Sequence, residues 1–171
     1  MLHKSKRGIS AIIGTLLLIV LTIALVAVVW TVVNNMVSQK ITQSSACFGN
    51  FNSITLNNQY SCFNSSANKV QFSLNIGDVA VDGVLVSMTG PAGSESVTIT
   101  NTPTIISGLT YLGGSSGQEV QLPGKNAGKT YVYDWTGGGV ANSVQIAPIV
   151  KGQQCSSSDS ISSLDDCRLL A

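Results

Sequence analysis

Cysteines at positions 47, 62, 155 and 167 carry the clearest chemistry in this sequence, because they can form disulfides or hold a metal ion. No C-x-x-C pair occurs and the separations do not suit a zinc ribbon, so disulfides are the expected state. Four cysteines allow three pairings. Local pairing, Cys47–Cys62 and Cys155–Cys167, closes loops of 15 and 12 residues and is expected ahead of a crossed arrangement. Each local loop would stabilise the fold by about 3 kcal/mol by restricting the unfolded chain. Carboxylates gather at Asp78 and Asp82 near a turn, and at Asp159, Asp165 and Asp166 in the tail, where a hard cation such as Ca²⁺ can bind. Neither set follows an EF-hand loop, and turn aspartates ordinarily cap the backbone or face water, so no metal and no cofactor is expected. The only histidine is His3, which leaves the rest of the chain without a Ser–His or Cys–His nucleophile. No glycine pattern follows a strand and opens a helix, as a nucleotide cradle requires. The chain is therefore not expected to be an enzyme. Asn64-Ser65-Ser66 forms an N-x-[ST] sequon, which can carry a glycan on the outer side of a membrane.

A different chemistry, proteolytic processing, is suggested at the N-terminus. Lys4, Lys6 and Arg7 form a basic cluster closed by Gly8, and no charged residue follows until Lys40. Ala11 to Val33 is almost wholly apolar, and as a helix it would span about 35 Å. A bilayer hydrocarbon core is about 30 Å thick, so the segment is long enough to cross with some tilt. Ile9 to Val33 holds 16 Leu, Ile or Val residues. At roughly −0.3 to −0.6 kcal/mol each, their transfer sums to about −5 to −10 kcal/mol. The basic flank stays cytoplasmic, which directs everything after Lys40 outward. There disulfides persist. The apolar core is too long for a secretory signal peptide, and Val32-Val33-Asn34 is not a small-residue cleavage site. Ser44-Ser45-Ala46-Cys47 lacks the aliphatic residue of a lipoprotein signal.

Lys6-Arg7-Gly8 running directly into Ile9-Ser10-Ala11-Ile12-Ile13-Gly14 resembles the leader of archaeal type IV pilins, the class III signal peptide. The resemblance implies that a prepilin peptidase recognises Lys6 and Arg7 and cuts between Gly8 and Ile9. It implies further that the helix, once freed of its cationic leader, leaves lipid for a filament core. Ala11 stands where many of these pilins have Pro, and Ile13 stands where bacterial type IV pilins have Glu, so the archaeal branch is the nearer one. Three segments follow from this reading: a cytoplasmic leader at 1–8, a membrane and filament-core helix at 9–45, and an extracellular head at 46–171 with two local disulfide loops. The core helix would pack through Ile9, Ile12, Ile13, Leu16, Leu17, Val20, Ile23, Ala24, Ala27 and Trp30. Gly14, Ala24 and Ala27 would let helices approach closely. The implied partners are copies of the chain itself, the prepilin peptidase, an assembly ATPase and a membrane platform protein. The implied role is a structural subunit of a surface filament, used for adhesion. The competing expectation is a single-pass anchored outer domain that binds a ligand and never polymerises.

The outer domain must supply the rest. Only 10% of residues are charged, against roughly 25% in an average globular protein. Without Lys4, Lys6 and Arg7, six basic side chains face eight acidic ones, so no basic patch exists for nucleic acid. Val33, Met36, Val37 and Ile41 share one face as the helix leaves lipid and turns amphipathic. Ala46 to Lys69 reads as a surface excursion with one strand near Ser53–Leu56. From Lys69 the apolar period becomes two: Val70, Phe72, Leu74 and Ile76 face inward, with Gln71 and Ser73 outward. Strands are expected at 81–89, 96–100, within 104–112, at 119–122, 129–135 and 143–151, with Pro148 at an edge or bulge. Turn signals every 8–12 residues indicate an antiparallel β-sandwich, giving an α+β chain overall. The order of the head also resembles that of archaeal pilins: a strand into Asn75-Ile76-Gly77-Asp78, a hairpin, Pro123-Gly124, then an aromatic strand. The Ser- and Asp-rich tail from Gln153 carries no clear element.

Overall fold

A computed structural model describes residues 7–47 and 52–167, with helix side chains described from 12 to 38 and at 47. The chain divides into two compact units, Met1–Ser44 and Ser45–Ala171.

The first unit is helical. Helix α1 runs over Arg7–Cys47, 41 residues, two longer at each end than the 9–45 expected. Nothing stops it earlier, because no Pro occurs before Pro91 and the last glycine before Cys47 is Gly14. At 1.5 Å per residue it is about 60 Å long. Its hydroxyls are used internally: Thr15, Thr22 and Thr31 donate to the carbonyls of Ile12, Ile19 and Ala27 at 2.8–2.9 Å. These bonds leave the apolar segment with no hydroxyl hydrogen unsatisfied at those positions, as a hydrocarbon setting demands.

The second unit holds thirteen strands among the described residues. They are β1 (Ile54–Leu56), β2 (Cys62–Asn64), β3 (Lys69–Ile76), β4 (Gly83–Gly90), β5 (Gly93–Thr100), β6 (Thr104–Ile105) and β7 (Leu109–Tyr111). There follow β8 (Glu119–Val120), β9 (Ala127–Asp134), β10 (Ser143–Val150), β11 (Gln153–Gln154), β12 (Asp159–Ile161) and β13 (Asp165–Asp166). One sheet has the order β13-β2-β3-β9-β7, with β1 also on β3. The other has the order β11-β10-β4-β5, with β12 also on β10, and β6 pairs with β8 alone. Every pairing is antiparallel except β13 on β2.

Period-two alternation makes the core. Val70, Phe72, Leu74 and Ile76 of β3, Val84, Val86 and Met88 of β4, and Val144 and Ile146 of β10 are all buried in a single apolar cluster. Both sheets contribute their inner faces to that cluster, which is the sandwich arrangement. Phe72 stacks on Tyr131 at 5.4 Å between ring centroids, and Trp135 is buried with its indole N–H donating to the Gly139 carbonyl at 3.0 Å. Strand β5 is an open edge of its sheet, and Glu95 sits half-buried in the same inward row as Val97 and Ile99. An inward-turned charge on an edge strand discourages pairing with another chain.

Four expectations are corrected here. The segment after Cys47 is not a surface excursion, because Ile54, Leu56, Cys62 and Phe63 are buried and two strands rather than one lie within it. That segment also covers Gln71 and Ser73, which are buried instead of facing water. Gln71 compensates by donating to the Tyr60 carbonyl at 3.1 Å, and the Ser73 backbone N–H donates to Ser61 Oγ at 3.1 Å. Pro148 does not lie on an edge strand: β10 is interior and pairs with β4 in unbroken register, Pro148 opposite Val84, while on its other side the ladder is interrupted by extra residues between Gln154 and Asp159, as a bulge requires. The Pro148 carbonyl accepts from Cys155 N at 2.8 Å on the far side, so its ring nitrogen, which cannot donate, faces the gap between β12 and β11. The tail is structured too. It supplies β11, β12 and β13 and buries Ile161. Asp159 Oδ2 there accepts the Leu56 N–H at 2.8 Å.

Candidate functional site

Among the described residues, the long apolar surface left uncovered by its own chain lies on the helix from Ile12 to Ser38. Ile12–Ser38 is long and apolar enough to cross a membrane, with a mean hydropathy of 3.1 over its most apolar 18 residues and none of that window buried. Its large apolar side chains from Ile12 to Val37 are 46–68% exposed. A helix that is apolar on every face is stable only inside protein or lipid. Of the residues expected to pack a filament core, Ile12, Ile13, Leu16, Leu17, Val20, Ile23, Ala24, Ala27 and Trp30 are all exposed on it. The side chain of Ile9 lies outside the described residues, as does that of Ile41. Arg7 opens the helix and the Gly8–Ile9 bond falls in its first turn, whereas Lys4 and Lys6 lie outside the described residues.

The cysteine pairing differs from the expected one. Cys47 is bonded to Cys155 and Cys62 to Cys167, with Cα separations of 5.6 and 5.1 Å. The physical reason is the path of the tail. Strand β13 runs parallel to β2 with Asp165 opposite Cys62, which brings Cys167 beside Cys62. Strand β11 returns along β10 and leaves Cys155 N bonded to Pro148. The bridges join residues 108 and 105 apart, so they interleave rather than close two small loops. Sheet pairing outweighs the lower entropic cost of closing a short loop, which rises only slowly with loop length. Cys47 is the last residue of α1 and its bridge to Cys155 lies within the second unit.

The aspartates are placed apart and put to structural use. Asp78 pairs with Lys125 at 3.1 Å, Asp82 accepts the Gly152 N–H at 2.9 Å, and Asp166 accepts from Ser65 Oγ at 3.3 Å. No group of three His, Cys, Asp or Glu side chains able to hold a metal ion occurs among the described residues. Asn64 ends β2, and its Oδ1 accepts the N–H groups of Ser66 and Ala67 at 3.1 and 2.9 Å, so the sequon occupies the β2–β3 turn.

Two tyrosines meet the Gln121 backbone inside the strand-rich unit. Tyr131 donates to the Gln121 carbonyl at 2.7 Å, and Tyr111 Oη accepts the Gln121 N–H at 2.8 Å. Burial, and then the neighbouring Tyr111, push the Tyr131 phenol well above its ordinary value. Sequence reasoning also passed over a polar concavity at one end of the first sheet, lined by Asn52, Ser53, Thr55, Asn75 and Asn126. These residues come from three separate segments, and only the Asn75-Ile76-Gly77 turn was conspicuous in the sequence. No protein-family model, curated protein or solved structure matches this chain.

Proposed function

We propose that the protein is a structural subunit of a type IV pilus-like surface filament, made as a membrane precursor and assembled through its N-terminal helix. The observation that carries this reading is the uncharged 27-residue apolar span, none of it buried in its own chain, set directly behind Lys4, Lys6, Arg7 and Gly8. Lipid satisfies such a helix before processing, and neighbouring copies satisfy it afterwards. The two disulfides suit an extracellular head, since they persist in oxidising surroundings. The low charge and Ser/Thr/Asn-rich surface suit dense tiling of identical heads. A prepilin peptidase, an assembly ATPase and a platform protein are the partners this role requires.

N-terminal sequencing of the native protein, with electron microscopy of purified surface fibres, tests the reading. Ile9 as the first residue of a chain found in fibres is the expected result. Intact Met1 on single molecules embedded in lipid would overturn it and favour the anchored, non-polymerising domain.

A further inference from the structure

We propose that the outer face of the first sheet carries a binding site for a neutral saccharide. The concavity there has a volume of about 480 Å³, within the usual range for small-ligand sites. Strand register builds its floor, because Thr55, Asn75 and Gly128 lie side by side across β1, β3 and β9. Their neighbours Ile54, Leu74 and Ile76 are buried in the core, so this row belongs to the outward face. Gly128 has to be glycine in this arrangement, since a Cβ would collide with Asn75 Oδ1. The Asn75 carboxamide therefore lies over bare backbone at the centre of the site.

Two loops form the walls. The Gly77 N–H donates to the Ser53 carbonyl at 2.7 Å, and the Asn126 N–H donates to the Gly77 carbonyl at 3.1 Å. Asn52 and Asn126 hold left-handed backbone, with φ of 70° and 53°. Asparagine is among the residues that adopt this conformation most readily in turns, and both asparagines line the concavity.

None of the side chains of Asn52, Ser53, Thr55, Asn75 and Asn126 hydrogen-bonds to another described residue. Of the other described asparagines in the strand-rich unit, Asn57, Asn64, Asn68 and Asn101 bond to backbone through their side chains, while the exposed Asn58 and Asn142 do not. Three carboxamides and two hydroxyls thus line one concavity with donors and acceptors both available. Vicinal sugar hydroxyls present the same mixed donor and acceptor pattern. Among the described residues no charged side chain lines the site, and Asp78 and Lys125 pair with each other at 3.1 Å. A phosphate, sulfate or carboxylate ligand would call for Arg or Lys. Without an aromatic ring among the lining residues for stacking, we expect a dissociation constant on the order of 1 mM. The site needs only a head that reaches solvent, so it stands whether the chain polymerises or remains a single anchored molecule.

The test is a titration of the full-length, ¹⁵N-labelled chain in a detergent without a sugar headgroup. The probes are maltose, lactose, mannobiose and N,N′-diacetylchitobiose, each up to about 50 mM, a range that covers the expected affinity. The expected result is saturable shifts, from at least one probe, in the side-chain amides of Asn52, Asn75 and Asn126 and the backbone amides of Gly77 and Gly128. Asn75→Ala should weaken that binding about tenfold, roughly the loss of one or two hydrogen bonds. Asn126→Gly keeps the left-handed backbone at no steric cost while deleting a carboxamide, so it should weaken binding with the remaining spectrum unchanged. The proposal is overturned if no probe shifts these amides, if both variants bind as the parent does, or if glucuronate binds more tightly than the neutral sugars.

Discussion

Trp135 is the largest fully buried side chain, and its position depends on what its neighbours lack. A Cβ at Gly137 would overlap the indole ring, and one at Gly90 would come within 2.8 Å of Trp135 Cζ2. The ring is boxed in by core and cannot swing aside, so Gly137→Ala should destabilise the head by about 1–3 kcal/mol, the usual range for overpacking. Urea unfolding followed by Trp135 fluorescence in a Trp30→Phe background measures this; an unchanged midpoint would refute it. Tyr131 makes a second residue-scale prediction. Its folded pKa is raised above the ordinary value of 10.0 by burial first and Tyr111 second. Below pH 10 both states hold the proton and stability is unaffected by this group. Above pH 10 the unfolded chain loses the proton while the folded chain keeps it, so stability falls as pH rises, by up to about 1.4 kcal/mol per pH unit. Thermal melts between pH 9 and about pH 11 should show that fall, and Tyr131→Phe should reduce its slope even though the variant loses the bond to Gln121 and starts from a lower Tm.

Elements were legible in the sequence to the extent that periodicity alone defines them. The apolar run from Ile9 emerges because no charge or proline interrupts it, and the strands β3, β4, β9 and β10 emerge close to where the pattern placed them because alternate residues face the core. Pairing over long sequence separations was not legible. The strands β2, β11, β12 and β13 are two or three residues long, too short to show a period, and they exist because longer strands offer them an edge. Misreading the tail led directly to the local cysteine pairing. The concavity was hidden for a related reason, since Thr55, Asn75 and Gly128 become neighbours only through sheet register. The crossed bridges carry a quantitative consequence. Closing loops of 108 and 105 residues restricts the unfolded chain by about 4–5 kcal/mol each in the chain-entropy model, against about 3 kcal/mol for each local loop. Cys62→Ser with Cys167→Ser should therefore lower the stability of the head by several kcal/mol and release β13 from β2. Non-reducing peptide mapping checks the pairing itself: peptides linking Cys47 to Cys155 and Cys62 to Cys167 are expected. A Cys47–Cys62 peptide as the main product would contradict the arrangement.

At the scale of the whole molecule, the proposed assembly turns on how a charged leader and an apolar helix tolerate different surroundings. In the proposed precursor, Lys4, Lys6 and Arg7 remain at the cytoplasmic surface while the apolar run up to Val33 fills the hydrocarbon. In a bundle of parallel helices the same cations would be drawn toward a dry interior, at about 2.5–3.5 kcal/mol or more for each. Three such penalties rival the whole helix's transfer energy of about 5–10 kcal/mol, so an uncut chain has no net reason to leave lipid. Cutting after Gly8 removes the penalty and leaves the apolar surface intact. Gly8→Trp places a bulky ring at the scissile position without altering the helix beyond Ile9 or the head. Paired substitutions Lys6→Ala and Arg7→Ala remove the recognition charges instead. Either change should leave full-length precursor in the membrane fraction, with its disulfides formed and its abundance near that of the parent, and no surface fibres. Immunoblotting of membrane and sheared-filament fractions separates the outcomes. Normal fibres built from an uncut Gly8→Trp chain would mean that the leader's charges never opposed assembly, and that the helix polymerises for some other reason.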